Sequence, residues 1–171
     1  MTRRLMLLRH GKADSPFGVP DKERPLAARG KKQAAYAGAA CRRLGLQPEL
    51  VAVSPALRAR ETWDYVAREL GAAPRVDIEN RIYANTVDDL LGVVSEVPDS
   101  VVSFLIIGHN PSIADLALSL DARPDEGRTP LSDGFPTGTL AVFALEGSWS
   151  EVGAGVGQLQ HVVRLDQLSS T

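Results

Sequence analysis

Three short segments of this 171-residue chain carry side chains suited to handling a phosphoryl group. Arg9-His10-Gly11 follows the apolar run Leu5 to Leu8. Ser54-Pro55-Ala56-Leu57-Arg58 follows Leu50 to Val53. Gly108-His109-Asn110-Pro111 follows Val101 to Ile107. Arginine offers a planar fork of donors that matches phosphate oxygens two at a time. Neutral imidazole offers a nucleophilic nitrogen near neutral pH. Gly11 lacks a Cβ, so the backbone there can turn tightly and approach a ligand closely. Helices opening after Ser54 and Asn110 would turn backbone N–H groups toward an anion. His10, His109, Arg9 and Arg58 are therefore the candidate catalytic and phosphate-binding set. Gly11 joins them in binding phosphate, and Lys12 and Asn110 are candidate substrate contacts.

Each residue alone has a plainer reading. A single histidine at a strand end is often a hydrogen-bonded loop residue, and Arg58 alone would more often be a solvated helix residue. The set gains weight because two of the three histidines, each with an arginine nearby in the same or another segment, fall at the ends of apolar runs. His161 is assigned no role. Thr62 is four residues after Arg58 and shares its helix face, where it would buttress the arginine or simply pack. Cys41 has no arginine at phosphatase spacing after it and reads as an inert, partly buried thiol. The three separated histidines show no metal-ligand spacing, so no metal and no other cofactor is expected. A Gly-x-x-x-x-Gly-Lys-Ser/Thr segment is absent, which argues against a nucleotide-binding P-loop.

The elements that must position these groups follow from apolar runs and breakers. Leu5 to Leu8, Leu50 to Val53, Val76 to Ile78 and Val101 to Ile107 read as short strands, with Leu140 to Leu145 and His161 to Leu165 as two more. Leu26 to Leu44 is rich in Ala, Lys, Arg and Gln and reads as a helix stopped by Gly45. Ser54 as N-cap and Pro55 at the first position open a second helix, ending at Gly71. Thr86 with Asp89 resembles a capping box opening a helix to about Val97. Pro111 to Leu120 is a further helix, while 11–25 and 121–138 read as loops. Alternating strands and helices predict an α/β fold with a mostly parallel sheet. In such sheets ligands bind beyond the carboxyl ends of the strands, where the three segments lie.

Composition is ordinary for a globular chain, with 44% hydrophobic and 23% charged residues. A single domain over 1–171 is expected from the length. A formal net charge of −2 argues against a bulk basic nucleic-acid binder. One cysteine cannot form an internal disulfide, which suits a reducing, cytoplasmic setting. No apolar run approaches the roughly 18 residues of a membrane span. The four apolar residues after Arg3-Arg4 fall short of a signal-peptide core of about 7–15. A monomer is the default expectation.

The segments resemble those of the histidine phosphatase superfamily, the phosphoglycerate mutase-like group. Leu8-Arg9-His10-Gly11 resembles its signature around the nucleophilic histidine. Ser54 to Thr62 resembles its second phosphate-binding segment, and Gly108-His109-Asn110-Pro111 the segment with the second histidine. Arg24-Pro25-Leu26, Arg29-Gly30 and Gln33-Ala34 resemble the approach to its first helix. Chain length, Gly11-Lys12-Ala13-Asp14 and Pro136-Thr137-Gly138 are similar to the small SixA-type phosphohistidine phosphatases. The resemblance implies a three-layer αβα sandwich with a mostly parallel sheet, an exposed site without a large cap, and no metal. It also implies a phosphohistidine intermediate on His10, with Arg9, Arg58 and His109 around the phosphoryl oxygens. Cationic neighbours would keep the attacking nitrogen free of a proton.

Larger relatives use a carboxylic acid to protonate the leaving oxygen, and no segment here matches it. Glu79 and Asp14 are the nearest candidates, and both read better as structural or surface groups. A phosphorylated imidazole needs no such acid, because its second nitrogen takes a proton near pH 6.5 and the ring leaves neutral. The expected substrate is therefore phosphohistidine on a protein, such as a phosphotransfer domain or phosphocarrier. A small phosphate ester and a catalytically silent phosphate-binding module stay open as alternatives.

Overall fold

A computed structural model describes residues 1–123, 127 and 129–165. Chain order is β1 (Thr2–Arg9), α1 (Ala28–Arg43), β2 (Leu50–Val53), α2 (Leu57–Leu70), β3 (Arg75–Ile78), α3 (Asn80–Ala84), α4 (Val87–Ser95), β4 (Ser103–Gly108), α5 (Ser112–Leu120), β5 (Leu140–Glu146) and β6 (Gly157–Val163). The strands form one six-stranded sheet in the order β3-β2-β4-β1-β5-β6. The first four are mutually parallel, and β5 and β6 are antiparallel additions. This is the expected mostly parallel sheet.

Both faces of the central strands are covered, which is why they read as unbroken apolar runs rather than alternating ones. Alternate side chains serve opposite layers. Met6, Leu8, Val51, Val53, Leu105 and Ile107 pack on Ala34, Ala37 and Ala40 of α1 and on Ala59, Val66 and Leu70 of α2. Leu5, Leu7, Phe104 and Ile106 face Leu90, Val93 and Val94 of α4 and Ile113, Leu116 and Leu120 of α5. Burying each such Leu or Ile stabilises by roughly 1.5–3 kcal/mol. A three-layer αβα arrangement results. Among the described residues no helix is long and apolar enough to cross a membrane.

Element boundaries differ from expectation in places. Ser54 does not cap α2: the N-cap is Ala56 and the helix opens at Leu57. The Ser54 hydroxyl is otherwise engaged, as shown below. Thr86 caps α4 as expected, its hydroxyl accepting from the Asp89 N–H at 3.1 Å, but the helix stops at Ser95. The last strand begins four residues earlier than expected, at Gly157, because its pairing with β5 continues through Leu159, Gln158 and Gly157 after a register shift that skips Gln160. The short helix α3 had no signal in the sequence, since five residues are too few to show a helical period. Of the expected 121–138 loop, 124–126 and 128 lie outside the described residues.

Candidate active site

Strand order brings the three segments together. β4 lies between β1 and β2, all three run parallel, and Arg9 pairs with Gly108 while Val53 pairs with Ile107. The residues that follow must then emerge side by side at one edge. The His10 N–H donates to the Gly108 carbonyl and the Ser54 N–H to the Ile107 carbonyl, both at 3.1 Å, carrying the ladder one step past the strands. Gly138, at φ 74°, donates its N–H to the carbonyls of Arg9 and His10 at 3.1 and 3.0 Å. A side chain at that φ would be strained. Gly11 and Gly30 lie so close that a Cβ on either would collide with the other's backbone neighbourhood. This contact seats the loop after His10 against the first turn of α1.

The imidazoles of His10 and His109 are both buried, and their centroids are 5.1 Å apart. His10 Nδ1 lies 2.7 Å from the Gly11 carbonyl oxygen. A carbonyl only accepts, so Nδ1 carries the proton and Nε2 keeps a bare lone pair. His109 is fixed from both sides. The Arg58 guanidinium only donates, so His109 Nδ1, 3.5 Å from Arg58 Nη2, is the acceptor. Its Nε2–H donates to Ser54 Oγ at 2.7 Å, and that oxygen also accepts the Ala56 N–H at 3.3 Å. Burial is the main force holding both rings neutral. It pushes His10 down to about 3, with His109, Arg58 and Arg9 adding to the effect against an opposing bond to the Gly11 carbonyl. It pushes His109 down to about 4, assisted by Arg58. The cationic neighbours act in the expected direction but rank behind desolvation.

Two arginines complete the wall. Arg9 Nη1 donates to the Phe135 carbonyl at 3.1 Å, while its buried Nε has no hydrogen-bond partner among the described groups. Arg58 donates from Nη1 to the Asp21 carbonyl at 2.8 Å and from Nη2 to the Asp21 carboxylate at 3.1 Å. Thr62 does buttress this segment. Its hydroxyl donates to the Arg58 carbonyl at 2.7 Å and accepts the Gly11 N–H at 3.1 Å, tying the first and second segments together. The pocket they form is open to solvent, has a volume of about 450 Å³ and is lined by Arg9, His10, Arg58 and His109 together with Lys12 and Asn110. Gly11 sits behind it, bonded to Thr62. Lys12 is anchored through its N–H to Gln33 Oε1 at 2.8 Å, and Asn110 Nδ2 donates to the Phe135 carbonyl at 2.9 Å.

The pocket also contains residues to which the sequence motifs assigned no role at the site. Asp21, Arg24, Tyr83, Asn85 and Thr137 line it. Asp21 Oδ2 accepts from Tyr83 Oη at 2.6 Å, and Oδ1 accepts from Arg24 Nη1 at 3.2 Å. The Tyr83 phenol, followed by Arg24 and Arg58, holds this carboxyl down at about 2, so it is ionised at neutral pH. Asn85 donates to the Asn110 carbonyl at 2.7 Å and accepts the Ser112 N–H at 3.1 Å. The first N–H of α5 is thus already used and does not face an anion. Tyr83 and Asn85 belong to or follow α3, just beyond β3. Extending the strand-end rule to this fourth parallel strand would have found them.

Some sequence candidates lie elsewhere. Glu79 caps α3 and pairs with Arg81 at 3.0 Å, outside the pocket lining. Asp14 is exposed and does not line it. His161 is paired opposite Val142 in the sheet. Cys41 is buried, and desolvation pushes its thiol up to about 11, as an inert thiol requires. Among the described residues, no group of three or more His, Cys, Asp or Glu is placed to hold a metal ion.

Residues 5–82 match the sequence profile of the histidine phosphatase superfamily (branch 1). The uncharacterized protein Rv1276c of Mycobacterium tuberculosis is 30% identical over 155 residues, which cover 89% of this chain and 96% of that protein. A SixA structure from Nakamurella multipartitia, provisionally named a phosphohistidine phosphatase, is 29% identical, with a TM-score of 0.84 over 96% of each chain. The protein histidine phosphatase SixA complexed with tungstate has the same fold, with a TM-score of 0.79 at 23% identity over 97% of this chain and 99% of that one. The matched profile takes in the Arg9-His10-Gly11 and Arg58 segments, and the structural likeness runs on through His109 to the final strands. By profile, relatives and fold, this chain belongs to the histidine phosphatase superfamily.

Proposed function

We propose that the chain is a phosphatase that removes the phosphoryl group from phosphohistidine on a protein, through a covalent intermediate on His10. The observation that carries this reading is the protonation pattern of the pocket. It presents one imidazole with a bare Nε2, and its only lining carboxylate among the described residues is ionised. His10 Nε2 attacks phosphorus, and the bond from phosphorus to the leaving atom breaks. Water then attacks the phosphohistidine and releases inorganic phosphate. Dividing the displacement in two lowers each barrier. Arg9 and Arg58 stabilise the charge on the equatorial oxygens, and fixed donors do this without reorganising. His109, its ring centroid 5.1 Å from that of His10, accepts from Arg58 through Nδ1 and so helps to fix that guanidinium beside the nucleophile.

Leaving-group chemistry supports an N–P substrate. An alkoxide needs a proton as it departs, and Asp21 at about 2 has none to give at neutral pH. A phosphoimidazole protonated on its second nitrogen, near the reference value of about 6.5, leaves as neutral imidazole. The relative provisionally named a phosphohistidine phosphatase agrees with this choice. The test compares turnover of a phosphohistidine-bearing phosphocarrier protein with that of alkyl phosphate monoesters. Wild type should acquire an acid-labile phosphoryl label and prefer the phosphoprotein, and His10→Ala should lose both properties. Faster turnover of the alkyl esters would refute the substrate class. Absence of label with active protein would refute the intermediate.

A further inference from the structure

A carboxylate in the wall of an anion pocket calls for an explanation. Asp21 shares the pocket with Arg9, Lys12, Arg24 and Arg58, and its negative charge offsets part of the attraction those cations exert on phosphate. Support for Arg58 does not require the charge, because the Asp21 backbone carbonyl already accepts from Nη1 at 2.8 Å. Position is informative. Arg58 Nη2 lies 3.5 Å from His109 Nδ1 and 3.1 Å from Asp21 Oδ2, while His109 neighbours His10 at 5.1 Å. The order of contacts therefore runs His10, His109, Arg58, Asp21, so that two side chains separate Asp21 from the nucleophile along this row. An in-line displacement puts the leaving atom on the far side of phosphorus from His10. The Asp21 side chain is 51% exposed, so it is open to a group entering there. Three of its roughly four acceptor sites are taken by Tyr83, Arg58 and Arg24, which leaves one on Oδ1.

We propose that Asp21 accepts the N–H of the departing imidazole and so selects phosphohistidine over phosphate esters. This rests on the phosphohistidine reading above and adds the residue that enforces it. In the step, the His10 Nε2 lone pair forms the new bond to phosphorus as the substrate's P–N bond breaks. The P–N pair stays on the leaving nitrogen. The other ring nitrogen keeps its proton, hydrogen-bonded to Asp21, so the ring departs neutral. The ionised carboxylate favours the protonated ring before bond breaking, because an adjacent negative charge stabilises an imidazolium. For an ester the same carboxylate has no donor to accept from and repels the phosphate.

The experiment measures kcat/KM against pH for free phosphohistidine and for p-nitrophenyl phosphate, whose nitrophenolate leaves without a proton, in wild type and Asp21→Asn. The substitution should lower the phosphohistidine value at least about ten-fold more than the ester value, the effect of losing one charge-assisted hydrogen bond. It should also move the alkaline limb of the phosphohistidine profile to lower pH, while Asp21→Glu should return that limb toward wild type. Asp21→Ser serves as the neutral variant if Asp21→Asn does not fold. Equal losses on both substrates with an unmoved limb would overturn the proposal while leaving the phosphohistidine reading intact. A wild type that turns over alkyl phosphates faster than phosphohistidine would overturn both.

Discussion

Acid should destabilise this fold through two buried imidazoles well before its carboxylates protonate. In the unfolded chain His10 and His109 take up protons near pH 6.5. In the folded chain burial holds them at about 3 and about 4. Between those values the unfolded state binds more protons, so stability is full above about pH 6.5 and declines as the pH falls toward the folded values. Each ring contributes a slope approaching about 1.4 kcal/mol per pH unit, or about 2 kcal/mol between about pH 7.5 and about pH 5, so the pair costs about 4 kcal/mol. That is a large share of the roughly 5–15 kcal/mol stability of an ordinary domain. Urea unfolding at the two pH values measures it, read as a shift in midpoint at constant slope. His10→Gln and His109→Gln should each remove about half of the acid sensitivity. The reasoning fails if wild type loses less than about 1 kcal/mol over this range, or if the double variant loses as much as wild type.

Three substitutions address the supports of the site. Ser54→Ala removes the acceptor for the His109 Nε2–H in a fully buried position. It should cost about 1–3 kcal/mol in urea unfolding and lower kcat as the ring loses its orientation. Thr62→Val deletes the hydroxyl that joins the Gly11 N–H to the Arg58 carbonyl. A buried N–H is left unpaired, so a loss of about 1–3 kcal/mol is expected, and unchanged stability would refute the bridge. Gly30→Ala forces a methyl group against the Lys12 backbone and must displace the loop that bears His10. Activity should fall about 10²-fold, since a displacement of roughly 1 Å at reacting groups has that effect. A crystal structure of the variant with an unmoved loop would contradict the argument.

Local chemistry determined a good deal by itself. Leu5 to Leu8 and Phe104 to Ile107 read as strands because their apolar runs are unbroken, and the structure covers both faces of each. The rule that ligands sit beyond strand ends then located His10, Arg58 and His109 before any coordinates. What the sequence did not contain is the lateral order of the sheet. Placing β4 between β1 and β2 is a choice among long-range pairings that no local periodicity encodes, yet it sets the histidines 5.1 Å apart. The same holds for Ser54, whose hydroxyl looked like a helix cap and instead orients His109 across 55 positions of chain. Asp21 and Tyr83 lie 62 positions apart on a three-residue 3-10 turn and a five-residue helix, both too short to leave a periodic trace, and they meet only after the layers pack. Residue type and spacing thus fixed which groups were available for phosphoryl chemistry. Tertiary packing decided which nitrogen is bare, which ring is neutral and which carboxylate is ionised, because desolvation and hydrogen-bond partners exist only once distant segments are in contact.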